Sequence, residues 1–294
     1  MQSGPLAEKI IQAFDSMSEQ LQVAARYLLE HPREVALLSM REQARQAEIQ
    51  PATMTRLAQH LGYSGYEEVR QLYADAMRSE GTGFADLAAD QAKNQKLKGD
   101  RALAADMLRG VSTQVAALSH PAMLDCLADA ARRIERARRI YCLGLRSSHS
   151  AAWHLHYMLS IAGKQSVMLD AVGGIGADAL GSATPNDVLV AVSVLPYTRQ
   201  TVEITEYAHS CGVPVIALTD SVVAPLAQHA AVTLVVPTES PSFLHTMSPA
   251  FVTAEILGAL VAGRSGDAAS QALARVDRQS AALNIHLKTR ARRQ

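Results

Sequence analysis

The sequence predicts two domains of different class: an α-helical N-terminal domain, then an α/β domain built on a doubly wound parallel sheet. Three observations predict it. Apolar residues in the first third recur at helical spacing, with few strand formers among them. From Ile140 onward, short β-rich runs alternate with helical stretches, the texture of βαβ units. Those runs are apolar almost throughout, as expected of strands covered on both faces. The expected divisions are 1–79 for the helical domain, 80–124 for a linker and connecting helix, 125–266 for the α/β domain and 267–294 for a helical tail.

In chain order, Ile10, Phe14, Met17, Leu21, Ala24, Ala25 and Leu28 mark amphipathic helices, and the segment HPRE at 31–34 breaks them. Residues 80–100, EGTGFADLAADQAKNQKLKGD, are poor in large apolar side chains and read as a linker leading into another helix. Beyond it, RIYCLGL, SVMLDA, DVLVAVSV, VPVIALTD and VTLVVP read as strands. AAWHLHYMLSIAG, QTVEITEYAHSCG and APLAQHA are the helical stretches between them. The tail from Asp267 is helical in composition and ends in KTRARRQ, whose basic residues suit solvent, DNA or a partner subunit.

With 294 residues, 48% of them hydrophobic, the chain has core enough for two modest domains or one large one, and wholesale disorder is not expected. Cys126, Cys142 and Cys211 lie far apart, which argues against a disulfide framework and against a zinc site. The N-terminus lacks a basic stretch followed by an apolar run, and DVLVAVSVL is far short of a bilayer span. A cytoplasmic protein with no membrane partner is the expectation. Lys plus Arg and Asp plus Glu each number 28, and residues 1–80 hold 11 acidic against 8 basic residues. Charge therefore gives no support to nucleic-acid binding, and any such reading must rest on a motif.

That motif is SMREQARQAEIQPATMTRLAQHLGYSGYEEVR, residues 39–70. Ala44 and Ala47 are small, as close helix crossing requires, and Ile49 follows as an apolar turn residue. Pro51 suits the first position of a new helix, where its missing N–H is no loss. Met54 and Leu57 are expected inward, leaving Gln50, Ala52, Thr53, Thr55, Arg56 and Gln59 outward. A helix-turn-helix of this kind places its second helix in a major groove. The spacing alone suits an ordinary helical hairpin equally well.

The segment resembles the N-terminal domain of the RpiR/MurR transcription regulators, whose pattern runs LA-x-x-x-x-VS-x-x-T-x-x-RF and later LG-F-x-G-F-x-x-LR. Ala44, Ile49, Thr53, Arg56, Leu61, Gly62, Tyr63, Gly65, Tyr66, Val69 and Arg70 match it. Glu48 stands where that family has a glycine, Gln50 where it has a capping serine, and Leu57 where it has phenylalanine. Loss of a good N-cap costs about 1 kcal/mol. The resemblance implies that residues 50–59 read a double-stranded DNA operator.

In the α/β region, RIYCLGLRSSHSAAWHLHYMLSIAG is a strand, a Gly-x-Arg-Ser-Ser loop and a helix. Gly144 permits the turn, Ser147 and Ser148 supply hydroxyls, and Arg146 adds charge beside a helix N-terminus, an arrangement suited to an anion. A serine that merely caps the helix gives the same pattern. DVLVAVSVLPYTRQTVEITEYA ends in a second hydroxyl-bearing loop, and ligands of open α/β sheets bind at such strand ends. With VIALTDSVVAPLA, the order over 125–265 is similar to a sugar isomerase (SIS) domain, the module RpiR/MurR regulators carry after their DNA reader.

In typical SIS domains the second loop reads S-x-S-G-x-T and cradles a sugar phosphate. Ser193 and Thr198 match its ends, while Leu195 and Pro196 replace the central serine and glycine. Leu195 removes a hydroxyl and Pro196 a backbone donor. Arg146, Tyr197 and Arg199 offer charge or a phenol in their place, and arginine serves a carboxylate as well as a phosphate. The resemblance implies a small anionic metabolite as effector, a homo-oligomer (dimer or tetramer) paired through SIS helices, no cofactor and no catalysis.

Other residues carry less. His154 and His156 point to different helix faces and form no metal pair. GGIG at 173–176 lacks dinucleotide-fingerprint spacing and reads as a turn. His245, in SPSFLHTMSPAF, follows a late strand and reads as structural or within reach of a ligand. The competing function is a sugar-phosphate isomerase. Glu203, His245 and Glu255 are its candidate bases, and no two are evidently paired.

Overall fold

The structure, a computed structural model, describes residues 5–31, 34–35, 38–81, 84–170, 176–222 and 224–287. Residues 32–33 of the HPRE break, 173–175 of the GGIG turn and the KTRARRQ tail lie outside them. The chain divides into two compact units, 1–94 and 95–294.

Among the described residues the first unit is helical. It comprises α1 (Pro5–Ala13), α2 (Glu19–Glu30), α3 (Met40–Gln46), α4 (Pro51–His60) and α5 (Tyr66–Gly81), with α6 (Phe84–Lys98) spanning the division. Ile10, Ala24, Ala25, Leu28, Ala44, Met54, Leu57 and Val69 are fully buried, so the helical periodicity of the sequence defines a true core. Buried polar groups tie it together. The Gln43 amide donates to the carbonyls of Val35 (3.0 Å) and Leu38 (2.8 Å) and accepts from the Tyr66 hydroxyl. Tyr73 donates to the Leu28 carbonyl at 2.8 Å. Burial raises the hydroxyl pKa of both tyrosines, which keeps them protonated as donors.

Residues 80–100, expected as linker, are largely helical. α6 and α7 (Asp100–Ala117) meet at Gly99, whose φ of 86° breaks the run. Neither helix buries a residue. Ala, Gln, Leu and Lys all favour helix, so propensity alone suffices where no amphipathic stripe announces one.

The second unit continues with α8 (Pro121–Arg136), β1 (Ile140–Gly144), α9 (His149–Ile161), β2 (Ser166–Leu169), β3 (Val188–Val192) and α10 (Arg199–Ser210). After these come β4 (Val215–Thr219), β5 (Ala230–Val235), α11 (Ser248–Ser265) and α12 (Asp267–Ala282). The strands form one parallel sheet, order β2-β1-β3-β4-β5. One face packs Ile140, Cys142, Val190 and Leu218 beneath α8, α9 and α11; the other packs Tyr141, Leu143, Leu189 and Ala217 beneath α10. Every residue of β1, β3 and β4 is buried, as their apolar runs predict. α12 belongs to the same body, because Ala269 and Ala272 are buried and Ala272 lies against Gly163. The strand order reverses between β1 and β3, where a doubly wound sheet opens its ligand crevice.

Candidate functional site

The helix-turn-helix is α3, a three-residue turn extended by Gln50, and α4. Ser39 caps α3, its hydroxyl accepting the Glu42 N–H at 3.3 Å. At the far end the Ile49 N–H returns to the Ala44 carbonyl (2.9 Å) and the Glu48 N–H to that of Arg45 (3.2 Å). This is a Schellman closure, and it holds Glu48 at φ 54°. α4 begins with Pro51 at its first turn, and Gln50 makes no side-chain cap bond.

α4 is held by Met54, Leu57 and Ala58, all fully buried against α2, α3 and α5. Of the residues expected outward, Gln50, Ala52, Arg56 and Gln59 are exposed, and Thr55 is half-buried with its hydroxyl 3.6 Å from Met40 Sδ. Thr53 corrects the expectation: only 2% of it is accessible. A helix flanked by three others buries an arc wider than the i, i+3 pair, and Thr53 stands on that arc beside Met54 and Leu57. Arg56 Nε reaches the Ala52 carbonyl at 3.4 Å, and among the described residues no carboxylate pairs with its guanidinium.

At the C-terminal ends of β1 and β3 the two loops lie side by side, since Gly144 pairs with Val192. Gly144 is required by a close approach. A Cβ there would stand 2.7 Å from both Ala152 Cβ and the Ser148 carbonyl oxygen. Arg146 then adopts φ 56°, a conformation uncommon outside glycine, and its side chain is exposed. Ser148 is buried at the head of α9. Ser147 is half-buried, and its hydroxyl lies 2.8 Å from His245 Nε2.

The second loop is tied differently. Ser193 Oγ accepts the Thr198 N–H at 3.4 Å, closing the loop on itself. Asp220, just beyond β4, accepts the Leu195 N–H (3.2 Å), the Tyr197 hydroxyl (3.0 Å) and the Thr219 hydroxyl (3.2 Å). Asp220 also acts on His245: burial lowers the imidazole pKa, and the Asp220 charge opposes that shift. Ser147 and His245 thus form one hydrogen-bonded pair and Tyr197 and Asp220 another, with the Asp220 charge acting on His245 between them. Arg199 is exposed at the start of α10, and no described hydrogen bond or ion pair joins Arg146 or Arg199 to this set. Asp220 escaped the sequence reading, although a carboxylate directly after the buried strand VIALT was a usable signal.

Among the described residues no group of three or more His, Cys, Asp or Glu could hold a metal ion, and no helix is long and apolar enough to cross a membrane.

Comparison with known proteins agrees with both halves. Residues 4–80 match the helix-turn-helix domain of the rpiR family, and residues 133–261 match the SIS domain. The chain is 23% identical over 268 residues to the HTH-type transcriptional regulator HexR of Pseudomonas aeruginosa, covering 88% of each chain. It is 27% identical over 236 residues to the bifunctional protein glk of Burkholderia orbicola, covering 79% of this chain but 35% of that protein. Among solved structures, the sugar isomerase domain of an RpiR transcription factor from Sphaerobacter thermophilus is 27% identical, with TM-score 0.55, over 60% of this chain and 98% of that one. The Vibrio vulnificus NanR protein complexed with ManNAc-6P shares the fold at 22% identity and TM-score 0.51, over 94% of this chain and 97% of that one. The chain belongs to the RpiR family of transcriptional regulators, with a helix-turn-helix domain followed by a SIS domain.

Proposed function

We propose that the chain binds a double-stranded DNA operator through α4 and alters that binding when its SIS domain takes up a small anionic sugar derivative. The observation that carries the first half is the exposure of Gln50, Ala52, Arg56 and Gln59 on a helix fixed by fully buried Met54 and Leu57. Such a face offers amides and a guanidinium to base edges and phosphates. The second half is supported by the hydroxyl-bearing loops side by side at the strand-order reversal. We take the active form to be a homodimer, so that two α4 helices engage two half-sites. Effector and operator then couple by differential affinity for two arrangements, ordinarily about 1–3 kcal/mol.

The test is selection of genomic DNA fragments by the purified protein, followed by anisotropy titration of a selected fragment. Arg56→Ala is expected to weaken binding about tenfold or more, the discrimination worth of one good side-chain contact, and to leave the circular dichroism spectrum unchanged. Unchanged affinity would remove α4 from the interface. A panel of sugar phosphates and sugar acids, with N-acetylmannosamine 6-phosphate included because of the NanR complex, should contain a compound that shifts operator affinity. No shift across the panel would count against the effector class.

An isomerase reading has one observation in its favour: burial lowers the pKa of His245, which sits on Ser147 as a neutral base would. Glu203 and Glu255, its carboxylate candidates, are exposed on α10 and α11. Ketose-phosphate turnover by the purified protein, abolished in His245→Gln, would establish it.

A further inference from the structure

The second loop has lost the serine and glycine of the typical SIS phosphate cradle, yet it still offers donors, and those donors are already engaged. The Leu195 N–H and the Tyr197 hydroxyl both point to Asp220, one to each carboxylate oxygen, at 3.2 and 3.0 Å. Thr219 supplies a third donor, to the same oxygen as Tyr197. A carboxylate has about four acceptor positions, so three donors occupy most of it. The Thr198 N–H, a fourth group facing the loop, is taken by Ser193 Oγ. A phosphate entering here would have to take these donors from Asp220 and then lie beside its negative charge, and like charges at a shared site repel. The first loop differs. Arg146 stands there with no carboxylate partner among the described residues, and Ser147 turns to His245.

We infer that Asp220 occupies the anion place of the second loop as an internal substitute for phosphate, so that this loop receives a ligand's hydroxyls while the ligand's anionic group goes to the first loop at Arg146 and Ser147. Asp220 is then a specificity-determining residue. It accepts O–H donors of a polyol chain at its remaining position and turns away any ligand that presents phosphate to that side. The inference rests on the proposed reading of these strand ends as the effector pocket, and it fixes which end of the effector faces which loop.

The test uses inorganic phosphate as the probe, followed by amide-resolved NMR on the full-length protein. In the wild type, amides of 145–149 are expected to shift on titration while those of Leu195 and Thr198 stay still. Asp220→Asn removes the charge at constant shape. It should bind phosphate at least tenfold more tightly, with Leu195 and Thr198 now shifting. Saturable movement of Leu195 and Thr198 in the wild type overturns the inference, as does a folded Asp220→Asn with no gain. Stillness of 145–149 overturns the assignment of the anion to the first loop. If Asp220→Asn does not fold, the wild-type titration decides alone. The regulator reading is judged separately, by the effect of sugar derivatives on DNA affinity, so either can fail without the other.

Discussion

Ser147 Oγ and His245 Nε2 lie 2.8 Å apart although 98 residues separate them along the chain. The path of the chain explains the meeting. β5 is the sheet edge farthest from β2, yet α11, which follows it, packs against α9 beside β1. The helices touch closely: a Cβ on Gly258 would stand 2.8 Å from Met158 Sδ. The segment between β5 and α11 therefore has to return across the C-terminal edge of the sheet, and it brings His245 over the first loop. A bond from the Thr246 N–H to the Thr238 carbonyl (3.0 Å) closes that segment.

Burial sets a pH dependence on this contact. His245 and His156 both have pKa values lowered from 6.5, by desolvation first, so the native state holds them neutral. The unfolded state binds their protons at higher pH. Their contribution to stability is therefore complete above about pH 6.5 and is lost as pH falls toward the native values. In thermal unfolding from pH 8 to pH 5, the difference between wild type and His245→Gln should shrink as pH falls. Parallel curves would mean that His245 is solvated.

Gly144→Ala probes the first loop directly. The added Cβ meets Ala152 Cβ and the Ser148 carbonyl at 2.7 Å, and neither is the end of a flexible side chain. Overpacking of this kind costs about 1–3 kcal/mol. The displaced backbone carries Ser147 and Ser148, so the Tm should fall together with the response to effector. A normal Tm would show that the loop gives way freely.

What the sequence revealed depended on how local the cause was. β1, β3 and β4 were legible because a strand covered on both faces is buried at every position and therefore apolar almost throughout. α4 was legible from Pro51, Met54 and Leu57, but Thr53 was not, since its burial comes from neighbouring helices rather than from its own period. α6 was hidden because it buries nothing. The meeting of His245 with Ser147 was not legible, because it depends on the path of the chain from β5 to α11 and no window of sequence contains that path. Asp220 meets Leu195 and Tyr197 simply because β4 lies beside β3.

Gln43 is another such case. It sits mid-helix in a polar-looking stretch, yet it is fully buried and joins the carbonyls of Val35 and Leu38 to Tyr66. Gln43→Ala leaves two carbonyls and a phenol without their partner, and each buried group so stranded costs about 1–3 kcal/mol. Denaturant unfolding should show a loss of at least about 3 kcal/mol, and a smaller one of about 1–3 kcal/mol for Tyr66→Phe, which strands only the Gln43 amide oxygen. Equal losses would place the stabilising contact in the phenol rather than in the amide.

Glu48 provides the opposite test, a substitution expected to stabilise. It is the residue that stands where the family has glycine, and the structure holds it at φ 54° in the closure of α3. α4 ends with the same device built in the ordinary way. Gly62 takes φ 84°, its N–H bonds to the Gln59 carbonyl (3.0 Å), and the Tyr63 N–H bonds to that of Ala58 (2.9 Å). A side chain in the left-handed region costs about 1–2 kcal/mol, because Cβ crowds the following carbonyl. Glycine removes that cost but adds freedom to the unfolded chain, which returns part of the gain. Glu48→Gly should therefore raise stability by about 1 kcal/mol, a rise of a few degrees in the Tm of the N-terminal unit. Gly62→Ala should lower it by a similar amount, since its φ is equally positive and its Cβ position meets only Lys9 Nζ, at 3.7 Å. If both substitutions moved the Tm in the same direction, backbone conformation would not be what decides these two turns.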